Sequence, residues 1–205
     1  MRGNYDNSAP FYDRLSRLVF GKALVNAQKH FIPKIPANSS VLIIGGGTGW
    51  ILEEITKVHP AGLNMTYVEV SARMTALSKK RKIGLNNVTF INLPIQQVYT
   101  DQHNVIITPF LFDNFTEANL SPLFAHIQAL LKPGGLWLNT DFQLTGKWWQ
   151  HVLLKSMLLF FKVLCGVESW RLPDAGKQFR LHGYITESEK TFYGDFVVTR
   201  LYRKS

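Results

Sequence analysis

The segment SSVLIIGGGTGWILEEI, residues 39–55, constrains this chain more than any other. Its VLII run is wholly apolar and rich in β-branched residues, as a strand covered on both faces requires, whereas ILEEI resumes the three- and four-residue spacing of a helix. Five residues join them, Gly45-Gly46-Gly47-Thr48-Gly49. Glycines let a backbone approach a ligand closely and adopt φ values that other residues resist, and the helix that follows presents N–H groups to an anionic group.

The rest of the chain repeats this alternation. From Phe11 to Phe31 apolar residues recur at helical spacing until Pro33 and Pro36. NMTYVEV reads as a second strand and SARMTALSKKRK as a second helix with Ser71 as N-cap. VTFINL and HNVIITPF are further strands. SPLFAHIQALL reads as a helix with Ser121 as N-cap and Pro122 at its first position, ended by KPGG, before a fifth strand LWLNTDF. Strands alternating with helices imply right-handed crossovers and a mostly parallel, doubly wound α/β sheet with helices on both faces. The tail, HGYITESEKTFYGDFVVTRLYRK, holds two alternating strand patterns and predicts an antiparallel pair at the sheet edge. The expected organisation is one domain over 1–205: a helical cap (1–37), a ligand-binding core (40–142), a helical insertion (146–183) and closing strands (184–204).

In open α/β sheets ligands bind beyond the carboxyl ends of the strands, where strand order reverses. Glu69 follows the second strand about 20 residues past the turn, the place for an acid that accepts hydrogen bonds from ribose hydroxyls. Together, turn and acid indicate an adenosine-containing ligand. A dinucleotide fingerprint would need a third glycine where Trp50 stands, so the pattern is GxGxG.

VLIIGGGTGW followed by YVEVSARM resembles the first two motifs of class I S-adenosylmethionine-dependent methyltransferases, and LLKPGGLWLNTDF resembles a later motif of that family. The tail is similar to its last antiparallel strands, so ordered matches run from about Ser40 to Lys204. The start, NYDNSAPFYDRLSRLVFG, resembles the tyrosine-aspartate helix of quinone-biosynthesis methyltransferases. The resemblance implies binding of S-adenosylmethionine and release of S-adenosylhomocysteine. It sets Gly45, Gly46, Gly47, Thr48 and Gly49 against the methionine part and Glu69, with Val70 beside it, at the ribose. It sets Met74 and Ile95 at the adenine, Tyr12 over the cofactor, and Thr108 near the reactive methyl. Two positions depart from the family. Ile43 stands where many members have an acid, and the adenine loop reads NLPIQQV, leaving Asn92, the Ile95 backbone or Gln96 as substitutes.

Asp113, after the fourth strand, is the candidate polar group near the acceptor, with helix capping or a turn as its structural alternative. His103, His126 and His151 have no partner recognisable in the sequence, and no metal-ligand spacing occurs. The apolar run from Trp148 to Val167 contains Lys155 and Lys162 and is too interrupted for a spanning helix of about 20 residues. It is expected to be buried, held by a partner or seated at a membrane surface, with a lid over an apolar acceptor pocket as the favoured reading. Cys165 is the only cysteine and the polar start lacks a secretory apolar stretch, which together predict a cytoplasmic protein. The net charge of +9 would attract an anionic partner such as nucleic acid or an acidic membrane surface, and solubility alone also explains it; the bases are scattered apart from Lys79 to Lys82, expected on an exposed helix face. Methyl transfer to a small or lipid-like acceptor is the leading expectation. Methylation of RNA or protein, and a non-catalytic binding protein, are the alternatives.

Overall fold

The computed structural model describes residues 12–165 and 171–205. The N-terminal helical region divides into α1 (Tyr12–Phe20) and α2 (Ala23–Lys29) at Gly21, whose φ of 57° ends the first helix. A short 3₁₀ turn, Ile32–Lys34, leads into β1 (Ser40–Ile44). Then follow α3 (Trp50–Val58), β2 (Ala61–Val68), α4 (Ala72–Ser78), β3 (Leu85–Ile91), β4 (His103–Pro109), α5 (Glu117–Ala129) and β5 (Leu131–Phe142). The chain closes with α6 (Trp148–Cys165), α7 (Ala175–Leu181), β6 (Ile185–Phe192) and β7 (Val197–Arg203).

The seven strands form one sheet in the order β3-β2-β1-β4-β5-β7-β6. β1 to β5 are parallel, and β7 runs antiparallel between β5 and β6. Strand order reverses between β1 and β4, so the crevice opens at Ile44 and Pro109. The β1–β4 register is fixed at the other, amino end of the strands by two side chains: Asn104 Oδ1 accepts from both the Ser40 N–H (3.1 Å) and hydroxyl (2.8 Å), and Ser40 Oγ accepts from the Asn104 N–H (3.0 Å). A slipped pairing would break all three bonds.

Alternation along β1 sorts the core into two layers. Leu42 and Ile44 face α5 and α7, packing with Phe124, Trp137 and Phe179. Val41 and Ile43 face α3, packing with Ile51, Leu52 and Ile55. Every residue of β1 from Val41 to Ile44 is buried, which explains its unbroken apolar run. A third cluster joins the cap to the tail, with Phe20 and Ala27 against Leu154, Leu158, Phe196 and Val197.

Three expectations need correction. α5 begins four residues before Ser121: Thr116 is its N-cap, and Pro122 lies inside the helix. Its start is set by the Asn119 and Leu120 N–H groups, both donated to the Thr116 carbonyl, with Glu117 in the first turn where an acid suits the helix dipole. KPGG does not stop α5, which ends at Ala129, but forms the irregular start of β5, where pairing with β4 shifts between His103 and Val105. Lys79 to Lys82 follow α4 instead of lining a helix face, because the helix gives way to a turn that carries Arg81 back toward the glycine segment.

Candidate active site

A crevice of about 320 Å³ opens beyond the carboxyl ends of β1 and β4. Gly45, Gly46, Gly47 and Thr48 line it, and the glycines divide by side. A Cβ on Gly46 would stand 2.5 Å from the Tyr67 ring, and one on Gly49 would stand 2.7 Å from the Ser78 Cα. These two glycines therefore let the turn press onto β2 and α4. A Cβ on Gly45 or Gly47 would meet nothing closer than 3.4 Å and would occupy the crevice itself. Gly45, Gly47 and Gly49 all have φ between 62° and 80°, where other residues are strained. The turn is thus a bare backbone cradle, with Gly49 as the N-cap of α3 and outside the lining.

The cradle is held from below. Tyr67 donates its hydroxyl to the Gly47 carbonyl at 2.9 Å. Arg81 donates from Nε to the Thr48 carbonyl at 2.9 Å and pairs with Glu53 at 3.6 Å. Ile43 lies in the apolar core beneath.

Glu69 follows β2 directly and is buried at the crevice wall. Its carboxylate accepts from the Gly47 N–H at 3.0 Å and the Ser71 N–H at 2.9 Å, so one side chain ties the cradle to the start of α4. Ser71 caps α4 by accepting from the Met74 N–H at 3.1 Å. Val70, Met74 and Ile95 line the same wall. Asn92 and Gln96 are exposed; Asn92 braces the wall from outside, donating to the Glu69 and Val70 carbonyls at 2.8 and 3.0 Å.

Thr108 stands elsewhere than expected. It is fully buried in the sheet, donates to Asn139 and accepts from the Trp137 indole, both at 2.8 Å, and is absent from the lining. Strand alternation turns it inward, and Pro109, Phe110 and Leu111 border the crevice in its place. Phe110 holds φ at 51°, an uncommon conformation for a bulky residue, with its ring 4.7 Å from Phe142.

Asp113 lines the crevice from the 3₁₀ turn Phe112–Asn114, accepting from the Asn114 amide at 2.7 Å. Burial holds its carboxyl well above the usual carboxylate range, and the charge of Asp141 raises it further. Asp141, at the end of β5, is pushed up to about 7 by burial, against the Phe142 and Phe112 N–H groups and Arg200, which favour its charged form. Asp141 escaped sequence reading. The signal was an acid at the carboxyl end of an otherwise buried strand, beside the strand that precedes Asp113.

Beyond the cradle the crevice becomes apolar. α1 supplies Leu15, Val19 and Phe20, and α6 supplies Leu153, Met157 and Phe160. It is not apolar against protein on all sides, because Trp148, Val152 and Leu159 are exposed. Tyr12 opens α1, but its side chain, like that of Cys165, lies outside the described residues. His103 bonds the Thr66 hydroxyl, His126 the Val98 carbonyl, and His151 is exposed; none lines the crevice. Among the described residues no group of acids, histidines and cysteines could hold a metal ion.

With this geometry in view, residues 41–135 match the family described as a methyltransferase domain. The fold is similar to 1,6-didemethyltoxoflavin-N1-methyltransferase of Burkholderia thailandensis, solved with its acceptor and S-adenosylhomocysteine; identity is 13%, covering 97% of this chain and 85% of that one, at a TM-score of 0.66. It is also similar to a chain in a Haloferax volcanii complex containing the Trm112 methyltransferase activator, with 12% identity, 99% and 98% coverage and a TM-score of 0.72. Among curated proteins, a non-reducing polyketide synthase of Penicillium brasilianum is 26% identical over 135 residues, 56% of this chain. The chain spans about 5% of that synthase's length. Residues 41–135, just under half of the chain, thus resemble a methyltransferase domain, and the seven-stranded sheet has the fold of the methyltransferase structures it is similar to.

Proposed function

We propose that the protein transfers a methyl group from S-adenosylmethionine to a small, apolar or lipid-like acceptor, in the manner of quinone-biosynthesis methyltransferases, in a cytoplasmic setting. The observation that carries this reading is the continuity of one crevice, polar at the glycine cradle and Glu69 and apolar between α1 and α6. The bare cradle fits the amino acid end of the cofactor, because a side chain at Gly45 or Gly47 would take its place. Glu69, already oriented by two backbone N–H groups, would hold the ribose, and Met74, Val70 and Ile95 would flank the adenine.

When bound, the cofactor supplies a methyl group already activated on a sulfonium. The chain's work is alignment and exclusion of water. Phe110, Phe142 and Phe160 wall off the apolar end, and Asp113, in its ionised form, is placed to take the proton that a phenolic or similar acceptor loses as its new bond to carbon forms, its raised pKa making that carboxylate a stronger base. Atoms and charge then balance: the acceptor gains methyl, the carboxylate gains the proton, and the sulfonium leaves as a neutral thioether.

The test is incubation with methyl-labelled cofactor and a panel of quinols and phenols with and without hydrocarbon tails. Label transferred to tailed acceptors, lost in Asp113→Asn while cofactor affinity persists, is the expected result. No transfer to any member, or equal transfer by Asp113→Asn across pH, would overturn the reading.

A further inference from the structure

We propose that the face formed by α1 and α6 docks on an anionic lipid surface and opens the crevice toward it; this deepens the acceptor reading and rests on it. The first observation is a stripe along α6. Trp148, Val152, Lys155, Leu159 and Lys162 follow one another at steps of four, three, four and three residues, so they share one side of the helix, and all are exposed. Trp148 is 77% exposed, Val152 57% and Leu159 54%. The adjoining side is anchored by Leu154 and Leu158, both buried against the cap and tail cluster. α6 is therefore fixed to the protein by one face while presenting apolar and basic side chains on the other.

The second observation is charge. α6 contains two lysines and no carboxylate, and from Leu15 to Phe20 α1 carries the exposed Arg17 and no acid. Exposed apolar residues interleaved with bases on α6 match a negatively charged headgroup layer better than a protein surface of mixed charge. A tryptophan at the start of the stripe adds a ring suited to the boundary between hydrocarbon and water.

The third observation is position. Ser156, exposed on α6, and Val19, partly exposed on α1, both line the crevice, so its mouth lies between the two helices that carry the exposed apolar groups. Leu18, next to Val19, is 82% exposed. Among the described residues no helix is long and apolar enough to cross a membrane, so the contact would be peripheral.

The experiment is co-sedimentation of the full chain with vesicles of phosphatidylcholine alone or mixed with phosphatidylglycerol, alongside titration with S-adenosylhomocysteine. The wild type should pellet with the mixed vesicles and release as salt rises. The double variant Val152→Glu/Leu159→Glu should pellet at least about tenfold less, and Lys155→Glu/Lys162→Glu should lose the preference for phosphatidylglycerol, with binding of S-adenosylhomocysteine retained by both. Absence of wild-type pelleting, equal pelleting by the variants, or a solution dimer that Val152→Glu/Leu159→Glu dissociates would overturn the docking. Loss of S-adenosylhomocysteine binding in the wild type would overturn the proposed function separately, since vesicle binding is read without the cofactor.

Discussion

Replacing Asp141 with asparagine should change how stability depends on pH. Asp141 is 6% exposed, and its carboxyl is raised from 3.8 to about 7. A group whose folded value lies above its unfolded value contributes stability that is fully present below the lower value and is lost as pH rises through the upper one. At 1.36 kcal/mol per pH unit, the rise from 3.8 to about 7 corresponds to about 4 kcal/mol lost between pH 4 and pH 8. Asparagine copies the shape of the protonated acid and never charges. It keeps an acceptor for one of the two backbone N–H groups and sets its amide against the other, a cost of about 1–3 kcal/mol. Urea denaturation at pH 4.5 and 8.5 reads the difference, with pH-dependent contributions from other groups cancelling between the two proteins. Asp141→Asn should be equal to or less stable than wild type at the lower pH and gain about 2–4 kcal/mol relative to it at the higher. A difference between the proteins that stays the same at both pH values would refute the buried-charge argument, and with it the mutual effect of Asp141 on Asp113.

Three other perturbations probe the cradle and the lid. Gly49→Ala adds a Cβ 2.7 Å from the Ser78 backbone at a φ of 80° and should destabilise the fold by about 2–4 kcal/mol in urea titration. Tyr67→Phe removes the bond to the Gly47 carbonyl, so it should cost about 1 kcal/mol of stability and weaken S-adenosylhomocysteine binding about fivefold by calorimetry. Leu158→Ala empties a buried site under α6 and should cost about 2–4 kcal/mol; a loss below about 0.5 kcal/mol would mean that α6 is not packed on the cap and tail cluster.

The elements that recur in the sequence as clean patterns were legible: the buried apolar run of β1, the glycine turn, the Ser71 cap and the closing strands. These signals are written in consecutive residues, whatever distant partners later satisfy them. What escaped depends on partners distant in sequence. Pro122 read as a helix start because a first position suits proline, yet Thr116 and Glu117 supplied an earlier start and the helix accommodated the proline. Arg81 belonged to a basic run, and only the return of the chain after α4 brings it to Thr48, 33 residues away. Thr108 stood correctly at the end of β4, but alternation sends its side chain into the sheet, where Trp137 and Asn139 engage it. Asp141 gains its meaning from Asp113, 28 positions earlier, which no local pattern pairs with it.

Calorimetric titration of S-adenosylhomocysteine into the wild type and Glu69→Gln tests the shared crevice most directly. The wild type should saturate at one equivalent well below millimolar concentration. The isosteric variant, which gives up a charged acceptor worth about 1.5–3 kcal/mol, should bind about ten- to a hundredfold more weakly while remaining folded. Heat no different from dilution in the wild type, or unchanged affinity in Glu69→Gln, would contradict the assignment of the cradle and Glu69 to one adenosyl ligand.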